Sequence, residues 1–218
     1  MAAGGGIQLP AKTNAFQNWT ARLESAAARF DEQLDYWKTQ HQAAQDLPCE
    51  RPDGSLQNLH GEKIEWRLDA ERTRQLLQQA PAAYRTQVND LLLTALARVV
   101  CRWSGADSAL VELEGHGRED LFDDIDLSRT VGWFSSLFPV RLTPQANPAA
   151  SLCAIKEQLR AVPGKGIGYG VLRYLTRAAE LQTLAQPRVT FNYLGQFDGA
   201  FSAEQGALFL PSSDSTGA

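Results

Sequence analysis

Hydrophobic positions first recur along the chain at helical spacing. Phe16, Trp19, Leu23, Ala26, Phe30, Leu34 and Trp37 share one face of a 3.6-residue period, which predicts one long helix or two joined near Arg29. A loop follows between residues 45 and 58, marked by Pro48, Pro52, Asp53 and Gly54. From Lys63 to Leu68 the period becomes two. Ile64, Trp66 and Leu68 alternate with Lys63, Glu65 and Arg67, the pattern of a half-buried strand. Asp69 is placed to cap a helix that runs through Gln79 and is ended by Pro81. Val88 to Trp103 is the most apolar helix. Only Asp90, Thr94, Arg98 and Arg102 form a polar stripe on it, so burial between layers is expected, with Gly105 as its C-terminal cap.

Ser108 to Glu114 alternates again, with Ala109, Val111 and Leu113 on one face and Leu110, Glu112 and Glu114 on the other. Two carboxylates therefore point the same way. The strand runs into Gly115-His116-Gly117-Arg118-Glu119, where glycines allow a tight turn or a close approach to a ligand. Asp120, Asp123, Asp124 and Asp126 lack the glycine and terminal glutamate of a calcium loop and read as a solvated acidic loop. Arg129 to Leu142 passes through Trp133 and Phe134 into a strand. Pro148 to Val162 is an amphipathic helix with Leu152, Ile155 and Leu159 inward. Pro163 to Gly170 is glycine-rich without Walker or Rossmann spacing, and Arg188 to Tyr193 is a last strand. The sum is an α/β chain of the α+β two-layer kind, with a mixed sheet of four strands and five or six helices packed mainly on one face.

Composition narrows the function classes. Of 218 residues, 44% are hydrophobic and 21% charged, an ordinary globular balance, and a formal charge of -4 argues against a nucleic-acid binder. Cys49, Cys101 and Cys153 are widely spaced, which supports neither a disulfide framework nor a metal or redox pair. No apolar run reaches membrane-spanning length and the first residues lack the features of a signal peptide, so a cytoplasmic protein with no membrane partner is expected.

Five segments carry a resemblance. Asn89 to Ala95, Glu114 to Glu119, Arg129 to Phe134, Pro163 to Gly170 and Phe191 to Gly195 match, in order and separation, the core motifs of epimerization domains of nonribosomal peptide synthetases. Those domains are relatives of the condensation domains in the chloramphenicol acetyltransferase-like superfamily. The likeness covers about Ile7 to Phe197, and the Glu114 and Trp133 motifs are what favour epimerization over condensation. It implies residues 1–14 as a linker from an N-terminal lobe, 15–197 as a C-terminal lobe, and 198–218 as the start of a latch segment. Pro163 to Gly170 becomes a structural turn before a helix from Val171 to Ala179, and the Trp133 segment a floor loop beneath the catalytic tunnel.

The resemblance also assigns chemistry. Inverting an aminoacyl stereocentre requires removal of the α-proton, which a thioester acidifies, and return of a proton to the opposite face. Glu114 matches the glutamate facing the family's catalytic histidine, and Tyr193 a position lining the active site; both are candidate catalytic residues. Asn192, His116 and Trp133 are candidate substrate-binding residues, with Asn192 expected to point away from Tyr193 and His116 read as a turn or supporting residue. The family's histidine motif, HHxxxDG, has no match among His41, His60 and His116, and is expected upstream of Met1. Alone, the chain is therefore expected to be inactive. Its implied partners are a peptidyl carrier protein with a tethered aminoacyl thioester and the missing lobe; a second copy is the other candidate to cover apolar interlobe surface. No metal or directly bound cofactor is implied, since the phosphopantetheine belongs to the carrier. A condensation domain and a noncatalytic carrier-docking module are the alternatives.

Overall fold

The computed structural model describes residues 9–42, 45–55 and 57–195. Residues 1–8 of the expected linker and the expected latch at 198–218 lie outside them. The first apolar face winds as helix α1 (Phe16–Ser25), a 3-10 stretch (Ala27–Gln33) that contains Arg29, and helix α2 (Leu34–Gln40). Residues 11–14 lie against the loop near 126–130: Asn14 N donates to Asp126 O at 2.8 Å and Arg129 Nη1 to Ala11 O at 3.0 Å.

Two expectations fail in the next segment. Residues 63–68 pair with no described strand, and Ile64 and Trp66 are 91% and 80% exposed. Alternation reports a face fit for burial; a strand also needs a neighbour to take its hydrogen bonds. Asp69 does cap, its Oδ1 accepting from Arg72 N at 2.8 Å, but the helix runs past Pro81. Helix α3 (Ala70–Arg74) widens into a π-helical turn (Gln75–Gln79) and continues as α4 (Ala80–Tyr84). Pro81 sits in the first turn of α4, where its missing N–H is least costly. Arg85, with φ 49, ends it.

Helix α5 (Val88–Ser104) closes on Gly105 at φ 73, as expected. It is not buried all round. Val99 and Trp103 are 66% and 59% exposed, whereas Asp90 and Thr94 of the polar stripe are buried. Those two are satisfied locally, since Asp90 Oδ2 accepts from Gln87 N at 2.8 Å and Thr94 Oγ1 donates to Asp90 O at 2.6 Å, so burying them leaves no open polar group. Strand β1 (Ala109–Gly115) is central, with β2 (Ser136–Leu142) antiparallel on one side and β3 (Val189–Phe191) parallel on the other. Ala109, Val111 and Leu113 are buried, and with Phe138 and Val140 they meet Leu93, Ala97 and Val100 of α5 in the core.

Helix α6 (Pro148–Arg160) is tied to α5 by Arg98, whose Nη1 donates to Ser151 Oγ at 2.8 Å and Gln145 O at 2.9 Å. The glycine-rich stretch is partly helix, not only a turn. After a 3-10 turn at Pro163–Gly166, helix α7 (Ile167–Gly170) starts earlier than expected and opens into a π-helical turn (Val171–Leu175), short of Ala179. Arg177, at φ 54, separates it from helix α8 (Ala179–Gln182). Trp37 of α2 packs 5.3 Å from the Tyr169 ring and 6.2 Å from that of Phe138, and Gln40 Oε1 accepts from Arg141 N at 3.0 Å along β2. The first helices thus pack on the sheet at β2. Among the described residues no helix is long and apolar enough to cross a membrane, and the three cysteines are free.

Candidate active site

The parallel pairing of β1 and β3 brings two distant motifs to one edge. Glu112 is opposite Thr190, and Thr190 Oγ1 donates to Glu112 Oε2 at 3.2 Å. One step further, Asn192 Nδ2 donates to Glu114 Oε2 at 2.7 Å. The two carboxylates do share a face, and each is met by a donor from β3 or the residues after it. Beyond these carboxyl ends opens a cleft of about 610 Å³. Ligands of open α/β sheets commonly bind at such strand ends.

Glu114, His116, Asn192 and Tyr193 all line this cleft. Asn192 and Tyr193 were expected on opposite faces, but β3 ends at Phe191, so strict alternation no longer separates them. Gln87 and Ser135, outside the matched motifs, and Asn89 and Lys165, inside motifs given no site role by the sequence, also line the cleft. Lys165 is held at φ 52 between Gly164 at φ 51 and Gly166 at φ 89. A Cβ on Gly166 would lie 1.9 Å from the Phe138 ring, so this turn closes only because glycine stands there. The signal was a lysine between glycines in a stretch read as structural.

The turn after β1 is built by Arg118. Its guanidinium lies 4.1 Å over the Phe134 ring and donates to Leu127 O at 2.8 Å and Gly132 O at 3.2 Å, tying the loop before β2 to the turn. Gly117, at φ 68, lets the Phe134 carbonyl approach; a Cβ there would be 1.6 Å from that oxygen. His116 Nδ1 accepts from Arg118 N at 3.0 Å, which leaves Nε2 as the protonated nitrogen, 3.2 Å from Glu119 Oε1. His116 thus has both nitrogens occupied by its own turn.

Trp133 is placed elsewhere. It is 83% exposed and lines a second, apolar cavity of about 340 Å³ with Phe16, Leu23, Leu137 and Tyr174. Ser135 lines both cavities. The acidic loop is exposed at Asp120, Asp123, Asp124 and Asp126, as expected; Asp124 pairs with Arg22 at 3.2 Å, and the Ser128 amide and hydroxyl hold the Asp126 carboxyl below its usual range. Among the described residues no group of three His, Cys, Asp or Glu side chains is poised to hold a metal ion.

The arrangement offers a carboxylate whose orientation is set by an amide, a phenol in the same cleft, and one lysine. Such a set can move a proton at a carbon beside a carbonyl and stabilise the anion that forms. Comparison with known proteins gives a consistent picture. The condensation domain family matches residues 1–215. One of the linear gramicidin synthase subunits of Brevibacillus parabrevis is 45% identical over 201 residues, covering 89% of this chain and 3% of that protein. Surfactin synthase subunit 1 of Bacillus subtilis (strain 168) is 42% identical over 199 residues, covering 87% of this chain and 6% of that protein. Among solved structures, the epimerization domain from the third module of tyrocidine synthetase B superposes with a TM-score of 0.76 at 36% identity, covering 89% of this chain and 45% of that one. The chain thus spans less than half of that structure and a small fraction of the two synthases.

Proposed function

The chain belongs to the condensation-domain family of peptide synthetases, and within it we propose that it forms one wall of an epimerization site acting on carrier-bound aminoacyl or peptidyl thioesters. The observation that carries the reading is the Asn192–Glu114 hydrogen bond at the mouth of a cleft that Tyr193 also lines. Asn192 fixes one carboxylate oxygen, and the other takes the α-proton or returns it. When the C–H bond breaks, its electron pair moves into the thioester carbonyl. The phenol of Tyr193 then donates to the enolate oxygen, and the new C–H bond forms from the opposite face.

The group on that opposite face comes from the half of the domain that this chain does not cover. The chain alone therefore catalyses no exchange. The phosphopantetheine arm and its thioester arrive on a peptidyl carrier protein, and no further cofactor is needed. Wash-in of deuterium at the α-carbon of a carrier-bound aminoacyl thioester, by the chain supplemented with a complementary N-terminal lobe, tests the reading. Exchange that Glu114→Gln abolishes supports it. Exchange by the chain unaided overturns the shared site, and carrier binding without exchange by the assembled domain assigns a docking module instead. Peptide-bond formation between two loaded carriers would mark a condensation domain.

A further inference from the structure

The apolar cavity beside the carboxylate cleft has no part in the chemistry above. Its floor includes Leu137, which stands directly opposite Glu114 in the β1–β2 ladder. Residues so paired project from the same face with Cβ atoms about 5 Å apart. The proton-transfer group and this cavity are therefore next-door neighbours, and Ser135 forms part of both walls. Trp133, Phe16, Leu23 and Tyr174 belong to a lining that is mostly apolar and includes no charged side chain. A pit of about 340 Å³ can take a side chain of the size of leucine or phenylalanine.

We infer that this cavity is the side-chain seat of the substrate, selecting a carrier-bound residue with a bulky apolar or aromatic side chain whose α-carbon lies at Glu114. The inference rests on the proposed epimerization. A short side chain leaves the cavity to water, and a charged one would be stripped of its hydration against Trp133 and Leu137. Apolar pockets discriminate by about 10- to 200-fold for each methylene gained or lost. Preference for phenylalanyl or leucyl over alanyl thioesters should therefore reach at least about tenfold in kcat/KM.

The test measures α-hydrogen exchange by the assembled domain on carriers loaded with phenylalanine, leucine, alanine or aspartate. The expected order places phenylalanyl and leucyl first, alanyl behind them and aspartyl last. Tyr174→Glu, which sets a carboxylate in the cavity away from Glu114, should collapse the phenylalanyl-to-alanyl ratio towards one. Should a thermal melt show that variant unfolded, Leu137→Ala provides the same reading through a changed ratio between leucyl and phenylalanyl substrates. Equal rates on all four thioesters, or a ratio untouched by the folded variant, would overturn the side-chain seat while leaving the epimerase reading in place. Absence of exchange on every substrate removes both.

Discussion

Asn192 and Glu114 are 78 residues apart in sequence and 2.7 Å apart at their side chains, because parallel pairing of β3 with β1 sets their strand ends side by side. The amide donor holds Glu114 Oε2, so the carboxylate does not rotate freely at the mouth of the cleft. In the assembled domain Glu114→Gln should lower exchange by about 100- to 10,000-fold, the range of one lost proton-transfer group. Asn192→Ala keeps the carboxylate but frees it, and should cost about 10- to 100-fold in kcat with a smaller change in KM. Equal kinetics for wild type and Asn192→Ala would show that the hydrogen bond does no orienting.

Gly117 and Gly164 separate two kinds of glycine. Both have positive φ, 68 and 51, but a Cβ on Gly117 meets the Phe134 carbonyl at 1.6 Å while one on Gly164 meets nothing within 4 Å. Gly164→Ala should cost about 1 kcal/mol, the backbone term alone. Gly117→Ala adds a clash with main chain that no rotamer relieves, and should cost about 3 kcal/mol or more. Urea unfolding of the two variants gives the comparison directly.

Arg173 is a buried cation among neutral acceptors. Its Nη1 donates to Tyr169 Oη at 2.9 Å and Leu181 O at 2.7 Å, and its Nη2 to Leu184 O at 3.3 Å, pinning α8 and the following turn to α7. Arg173→Met takes the side-chain donor from Tyr169 Oη and Leu184 O and leaves Leu181 O only the longer bond from Leu184 N at 3.4 Å, and should destabilise by about 3 kcal/mol. Arg173→Lys should recover only part of that, since one ammonium cannot reproduce the planar fork. Denaturant midpoints with unchanged slopes would confirm the sequence of the three.

His41, at the end of α2, is held below its usual pKa of 6.5, first by burial and second by Arg173. The folded state therefore takes up a proton less readily than the unfolded chain. Stability from this group is complete above about pH 6.5 and falls as the pH drops below it. Asp126 and Glu71, whose pKa values are also depressed by hydrogen bonds, lose their contributions only nearer their ordinary values of 3.8 and 4.5. A His41→Gln variant should flatten stability between about pH 5 and 7 and leave the more acidic limb in place. An unchanged profile in urea titrations at stepped pH would exclude His41 as its source.

Local pattern reached a good part of this molecule. The cap at Asp69, the left-handed stop at Gly105 and the alternation that puts Glu112 and Glu114 on one face depend on neighbours within a few residues, so they are legible in order along the chain. Residues 63–68 show the converse: their alternation is as clean as that of β1, yet nothing in them says whether a second strand lies alongside. Val99 and Trp103 look as buried as Leu93 by composition, because apolar character names what a face tolerates and not what covers it.

Residue type and spacing along the chain were enough to fix which segments can form helix, strand and turn and, through the collinear motifs, which family the chain resembles. It took the folded chain to set Asn192 on Glu114, to bring Tyr193 and Lys165 into the same cleft, and to put Trp133 on a separate apolar cavity beside it. Those placements follow from which strand lies against which and from glycines that let main chain approach side chain. The Asn192–Glu114 contact spans 78 residues of chain, a separation at which local propensity carries no information.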